Sequence, residues 1–450
     1  MRPKTIFISS FHPMISRNIL ATDFFSYLKA QKNIRIVILV PRYKAEYFKQ
    51  MFGSTNVIIE GVGPYQASRT FLGLLFKKLG VMLFNTRTAR NRKRYEYLYH
   101  KKYGLYSASM VLGSIGRFAF VRAIVRVLDL SFCPQGYFLD LFEKYQPDLV
   151  FSTDLQNEND VSLLQDAKHR KVRIVGMVRS WDNPTQRIFR ILPDRLVVGS
   201  QELFSEILEL YKYPAKLISV IGNPHYDRYL VGPTQSRGDF FKSFGISPDR
   251  KLIVYAPVSD ALIKFNDIDQ YVMSLLGKVE ASVIVRFPAE KGVRLDNFVK
   301  PDNMVFHRTG KSFNDREQGD REITPADDES LINELFYADL VITGPTSIAV
   351  DAPFMDRPTI AVNFYPTPRN FFETVYSYKC DHIQKVLETG GVHYSDSVED
   401  FFQAIAAYLK DPAKDRAGRL KIKQKWFSKA DGLAGQRLAK VVIDELALKS

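Results

Sequence analysis

Short, almost continuous apolar runs alternate along this chain with longer stretches whose apolar positions recur at helical spacing. The runs at 4–9, 34–40, 57–60, 146–153, 172–178, 195–198 and 217–220 are too short for helices and end in turn residues, which predicts buried strands. Helices are expected between them, at 19–29 and 202–210. A polar, turn-rich stretch at 230–238 (LVGPTQSRG) reads as a linker. The alternation then resumes: a helix at 239–244 and strands at 251–256, 282–285, 304–307, 340–342, 359–362 and 392–394. A further helix is expected at 398–409, and the tail from 411 to 450 is predicted to be helical. Strands spaced by helical segments imply parallel sheets built from βαβ units. The charged stretch 310–328 lacks apolar periodicity and predicts a mobile surface loop.

Residues 331–363, LINELFYADLVITGPTSIAVDAPFMDRPTIAVN, hold the clearest of these units. A strand breaks at Gly344-Pro345, and Thr346 and Ser347 open a helical segment. At such a turn the first helical N–H groups lack partners and the dipole is positive, so an anion is favoured. Asp351 follows Ser347 by one helical turn, placed to accept from a ribose hydroxyl beside a bound phosphate. The competing reading is an ordinary N-cap with an exposed Asp.

Charge changes the picture in one region. The formal net charge is +14, and residues 65–145 carry 14 Lys and Arg against 4 Asp and Glu. That segment is also apolar: FLGLLFKKLGVMLF (71–84) and MVLGSIGRFAFVRAIVRVLDL (110–130) flank the basic run RTARNRKR (87–94). Apolar helices punctuated by cations suit an anionic membrane surface; a core helix pair with basic ends is the alternative. Nucleic acid is not expected, because no helix-turn-helix, zinc or single-strand-binding signature accompanies the charge. The two cysteines, Cys133 and Cys380, have no metal-like spacing and suit a reduced, cytoplasmic protein. No run of apolar residues is long enough to span a bilayer, so any membrane contact would be peripheral, on the inner face of the plasma membrane.

Segment 332–364 resembles the donor-site segment of CDP-glycerol:polyglycerol-phosphate transferases, and more loosely that of hydrolysing UDP-N-acetylglucosamine 2-epimerases and GT-B transferases generally. The resemblance implies that Thr346 and Ser347 contact donor phosphates at Gly344 and that Asp351 lies near the nucleotide; Gly344-Pro345 stands where the family has Asp-Tyr. Further short matches follow in the family's order. The segment Ile221-Gly222-Asn223-Pro224-His225-Tyr226-Asp227 is similar to its Gly-x-Pro turn, and Pro257-Val258-Ser259-Asp260 to the turn closing its Tyr-Ala-Pro strand. Arg286-Phe287-Pro288 matches an Arg-x-His-Pro element, with Phe287 in place of the His. Trp181-Asp182-Asn183 aligns with a Trp-His-Gly turn whose His is the proposed base, so Asp182 stands there.

These matches imply an α/β, GT-B-like chain: two Rossmann-like domains with a cleft between them, plus a basic, apolar helical insertion in the first. The expected domains are 1–231 (acceptor, with the insertion at 65–145), 232–425 (nucleotide donor) and a helix at 426–450 crossing back. Donor contacts are assigned to Arg286, Thr346, Ser347, Asp351, Gly344, Pro257, Ser259, Asn223 and His225. Arg286 is the phosphate clamp, with surface pairing to Glu290 as the alternative. The base is assigned to Asp182, with Asp154 and His12 behind it; Ser9, Ser10 and Arg17 share the loop of His12. An Asx-turn before Pro184 is the competing role of Asp182. No metal and no cofactor are expected. The activity implied is inverting transfer of a sugar from a nucleotide-activated donor to a surface polysaccharide or lipid-linked glycan. Alternatives are a CDP-polyol phosphotransferase, a hydrolysing sugar-nucleotide epimerase, and a non-catalytic membrane-surface binding protein.

Overall fold

A computed structural model describes residues 2–63, 70–260, 262–263, 265–289, 292–313 and 321–448. The chain divides into two compact units, Met1–Arg228 with Ser428–Ser450, and Tyr229–Phe427.

The first unit is built on a seven-stranded, wholly parallel sheet in the order β3-β2-β1-β4-β5-β6-β7. Its early elements are β1 (Lys4–Ser9), α1 (Asp23–Lys29), β2 (Ile34–Pro41), α2 (Ala45–Phe52) and β3 (Val57–Val62). Five helices then replace a simple crossover: α3 (Phe71–Met82), α4 (Arg87–Lys93), α5 (Tyr103–Ile115), α6 (Ala119–Phe132) and α7 (Leu139–Tyr145). The sheet resumes with β4 (Leu149–Ser152), α8 (Glu158–His169), β5 (Arg173–Met177), β6 (Arg195–Val198), α9 (Gln201–Tyr211) and β7 (Ile218–Val220). Strands β1, β2 and β4 are buried along nearly their whole length because helices cover both faces, which is why their sequences read as continuous apolar runs. The helix expected at 19–29 is split into a short turn, Ser16–Leu20, and α1.

The second unit carries a six-stranded parallel sheet, β10-β9-β8-β13-β14-β15. In chain order its elements are α10 (Arg237–Ser243), β8 (Leu252–Ala256), α11 (Ile268–Leu276), β9 (Ser282–Phe287) and β10 (Met304–Arg308). A two-stranded antiparallel hairpin, β11 (Lys311–Ser312) and β12 (Arg321–Glu322), precedes α12 (Pro325–Tyr337), β13 (Leu340–Thr343), α13 (Ile348–Phe354) and β14 (Thr359–Val362). Then come α14 (Asp381–Leu387), β15 (His393–Ser395), α15 (Val398–Lys410) and α16 (Arg416–Trp426). The loop expected at 310–328 is therefore corrected at both described ends. A capping box, Thr324 with Asp327, starts α12 six residues before the apolar positions reveal it. Residues 314–320 lie outside the described chain.

The last helix, α17 (Ala434–Ala447), belongs to the first unit. Gly435 lets it approach α1 so closely that a Cβ would lie 2.8 Å from the Phe24 nitrogen. Buried Glu445 accepts from Arg173 and Arg195, fixing α17 to β5 and β6.

Candidate functional site

Each sheet has a topological switch point, where strands leave a central pair in opposite directions and the carboxyl-end loops diverge. In the first unit it lies between β1 and β4, in the second between β8 and β13. Each collects some of the polar residues the sequence singled out.

At the end of β1 and β4 the hydroxyls of Ser9 and Ser152 converge on Asp160 of α8, Ser152 at 2.9 Å and Ser9 by a short bond. Thr153 Oγ1 donates to the Ser9 carbonyl at 2.8 Å. Asp160 is fully buried, and its other oxygen, Oδ2, has no hydrogen-bond partner among the described residues. Burial, reinforced by nearby Asp154, pushes its carboxyl up to about 8. Asp154 is the opposite case. It accepts from Arg179 Nε at 2.8 Å and from the Gln156 N–H at 2.8 Å. Its carboxyl lies below the usual range because the Arg179 guanidinium beside it outweighs the burial. Two carboxylates in one cluster are thereby driven apart, one neutral and one firmly ionised.

His12 sits in the loop after β1 and feels Arg179, Asp154, Asp182 and Lys44. Burial and then Arg179 lower it to about 3, so the imidazole is neutral at physiological pH. Its Nδ1 accepts from the Met14 N–H at 3.3 Å, which leaves the proton on Nε2. His12 is thus equipped as a hydrogen-bond donor.

Asp182 is held by its neighbours. Gln156 Nε2 donates to the Asn183 carbonyl at 2.9 Å, Asn183 Nδ2 donates to Gln156 Oε1 at 3.3 Å, and Asn183 Oδ1 accepts from the Ser180 N–H at 2.9 Å. The loop after β5 is so tied to the loop after β4, with Pro184 starting the turn Asn183–Thr185. The Asp182 carboxylate does not cap that turn; Oδ2 accepts from Gln186, and Oδ1 has no partner among the described residues. The structure therefore brings His12, Asp154 and Asp182 into one electrostatic cluster. Arg179 and Asp160, which organise it, went unassigned in the sequence. Asp160 left one trace there, an acid set directly before the apolar run of α8.

Asn223 and His225 lie in the first unit, in the turn after β7 that receives α17. Lys429 donates to the Val220 carbonyl, Arg437 to the Ile221 carbonyl, and the Gly435 N–H to Asp227. Gly222 has φ +91°, and a Cβ there would lie 2.9 Å from that of Ala434. Asn223 packs onto Gly199, and His225 is buried, its imidazole held well below the usual range by burial and then by Arg17 and Arg228. This turn builds the first unit and docks its last helix.

In the second unit the loops after β8 and β13 touch: a Cβ on Gly344 would lie 2.7 Å from Val258 Cγ2. Pro257 and Ser259 occupy the β8 loop, Ser259 at φ +69°. Its N–H groups are already matched, because fully buried Asp269 accepts from Val258 and Ser259 at 2.7 and 2.9 Å, from Tyr255 Oη and from Asn266. The β13 loop differs. Thr346 Oγ1 shares a hydrogen bond with Thr343 Oγ1 at 2.9 Å, whereas the Ser347 hydroxyl caps nothing. The N–H groups of Ser347 and Ile348 have no acceptor among the described residues. Ser347 is half-buried, so donors converge there without a protein partner. Asp351 is buried, 2% exposed, rather than presented on an open helix face.

Arg286 ends β9 and is engaged by the protein. It donates to Glu334 Oε1 and Ser330 Oγ at 2.9 Å and to the Asp327 carbonyl at 2.7 Å. Glu334 is fully buried, and Arg286 followed by His307 holds its carboxyl below the usual range against the burial. The pairing with Glu290 falls on a residue outside those described. A cavity of about 310 Å³ lies beside His307, between α10 and α12. No group of side chains able to hold a metal occurs among the described residues.

No family model and no curated protein matches the chain. Solved structures do. UDP-GlcNAc 2-epimerase from Neisseria meningitidis, bound to UDP-GlcNAc, is similar with a TM-score of 0.56 at 12% identity, over 98% of this chain and 100% of that one. A glycosyltransferase from Rickettsia africae gives 0.51 at 11%, over 99% and 100%. The calicheamicin glycosyltransferase CalG4 gives 0.51 at 11%, over 99% of each. The likeness establishes the fold: two Rossmann-like parallel-sheet units of GT-B type.

Proposed function

We propose that a chain of this GT-B fold acts on a nucleotide-activated sugar and transfers it, with inversion and without a metal, to a polysaccharide or lipid-linked glycan presented at an anionic membrane. The observation that carries the reading is an available carboxylate, Asp182, in the loop after β5 of one unit, and N–H donors at Ser347 and Ile348 with no acceptor among the described residues at the switch point of the other. In the proposed reaction Asp182 takes the proton of the acceptor hydroxyl, whose oxygen forms a bond to the sugar's anomeric carbon. The bond from that carbon to the phosphate oxygen breaks, and the nucleotide leaves as an anion. The Ser347 hydroxyl and the Ser347 and Ile348 N–H groups receive the charge that develops on it. His12, neutral and protonated at Nε2, donates to the acceptor or sugar. Asp154, ionised and paired with Arg179, is a positioning residue.

The test is turnover of a nucleotide sugar with and without glycan acceptor. Asp182→Asn is expected to lower turnover by about 10²-fold or more while leaving nucleotide binding intact. Full activity in that variant moves the base elsewhere. Hydrolysing epimerisation is the second reading, favoured by the higher TM-score to the Neisseria epimerase than to the two transferases. Release of free sugar and nucleotide without acceptor would decide for it.

A further inference from the structure

Helix α6 is apolar on its outward side and carries buried charge on its inward side. Its inward face is mixed: Val121, Val125 and Leu130 pack against the core, but Arg122 and Asp129 are buried beside them, and Asp129 receives a bidentate Arg190, with Nε at 2.7 Å and NH2 at 2.8 Å. Arg190 also donates to Glu158 at 2.8 Å, and Arg126 donates to the Phe189 carbonyl at 2.8 Å. Its outward face is Phe120, Ile124, Val127 and Leu128, each between 41 and 64% exposed. Those positions recur at helical spacing, so they form one stripe.

Helix α5 follows the same plan. Its buried residues are Ser109 and Gly113, and small residues let it lie against the backbone beneath. A Cβ on Gly116, just past its end, would sit 1.9 Å from the Leu83 carbonyl oxygen. Buried Lys93 stitches the contact, donating to the carbonyls of Met82, Phe84 and Ser109. Outward, Leu105, Val111 and Ile115 are exposed. At the end of α5 and the turn into α6, Met110, Val111, Ile115 and Phe118 line a mostly apolar groove of about 410 Å³, together with Ser114 and Arg117.

Monomeric proteins rarely leave so much contiguous apolar surface in water. Exposed cations border it: Arg117 at the turn between the helices and Lys101 and Lys102 before α5. This charge tells the occupants apart. A second copy would bring like charges together around the shared patch, whereas anionic headgroups complement them. No described helix is long and apolar enough to cross a membrane, so the hairpin can enter one leaflet only.

We infer that the α5–α6 hairpin is a monotopic anchor, burying Phe120, Ile124 and Val127 among the acyl chains of an anionic leaflet while Arg117 meets lipid phosphate. The inference deepens the membrane association proposed above and rests on it. Surface adsorption through charge alone would be released by salt, but apolar insertion would not.

The experiment uses the full chain and vesicles of phosphatidylcholine with or without about 30% phosphatidylglycerol, an anionic lipid that supplies the attraction. An environment-sensitive dye is placed at Val127→Cys; the native Cys133 and Cys380 are buried. Expected are flotation with the anionic vesicles that persists in about 1 M NaCl, where exposed charges are screened, and a blue shift of the dye with quenching by brominated acyl chains. The combined variant Phe120→Asp, Ile124→Asp and Val127→Asp, at exposed positions, should keep its melting temperature and lose about tenfold or more of the bound fraction. Flotation that salt reverses, with no blue shift, overturns insertion and leaves charge-driven association standing. Absence of flotation overturns both, without touching the transferase reading. A lipid-free dimer that the triple variant abolishes shows the face covered by a second copy and also overturns the inference.

Discussion

Asp160 and Arg286 show how far a single side chain can be argued from its surroundings. With a carboxyl pushed up to about 8, against an ordinary value near 4, folded Asp160 holds a proton that the unfolded chain has lost. Stability from this group is therefore present at low pH and falls as pH rises from about 4 to 8, by about 1.4 kcal/mol per unit while the difference is one full proton. His12 acts with the opposite sign: lowered to about 3, it stays neutral while the unfolded imidazole takes a proton below about 6.5, so it removes stability on acidification. Asp160→Asn is predicted to become progressively more stable than the wild type between pH 5 and pH 8, measured by urea unfolding; a constant difference would mean the carboxyl is ionised throughout. Arg286 is legible as a residue but not in its role. The sequence shows an Arg at a strand end, and only the fold brings Glu334, 48 residues later, against it. Arg286→Ala takes the guanidinium from the fully buried Glu334 carboxylate, leaving it only His307 and Ser330, and should cost about 3 kcal/mol of stability. If its only effect were weaker nucleotide binding, the ion pair would be dispensable.

Among the elements, the strands and most crossover helices were readable because buried parallel strands need apolar residues on both faces. The start of α12 was missed for a definite reason: its first turn is specified by Thr324, Pro325 and Asp327, capping chemistry that carries no apolar period. The turn after β8 was half legible. Pro257 and Ser259 mark it, but its backbone donors are matched internally by Asp269, which lies on the following helix. Asp269→Ala would leave two backbone N–H groups and the Tyr255 hydroxyl without an acceptor, costing roughly 3 kcal/mol or more. Native-state hydrogen exchange at Val258 and Ser259 should accelerate strongly in that variant; unchanged protection would show that the loop is held by packing alone. The inward faces of α5 and α6 were invisible to a reading by composition, since the same residues fit a core pair as well as a membrane-facing one.

For the molecule as a whole, the GT-B-type pair of parallel sheets and the helical insertion were recoverable from the alternation of runs and a few short motifs. His12, Asp154 and Asp182 were named together from the sequence, but the roles of Arg179 and Asp160 among them were not, because residues distant in the chain meet only where β1, β4 and β5 end side by side. The account turns on a nucleotide being recognised at the β13 turn and processed by Asp182. Calorimetric titration of UDP, CDP, GDP and their sugars into wild type, Ser347→Ala and Asp182→Asn tests this directly. The account predicts saturable binding of at least one nucleotide, weakened by about fivefold to tenfold in Ser347→Ala, the worth of one hydrogen bond, and unchanged in Asp182→Asn. Absence of binding by every nucleotide, or equal affinity in Ser347→Ala, would contradict it.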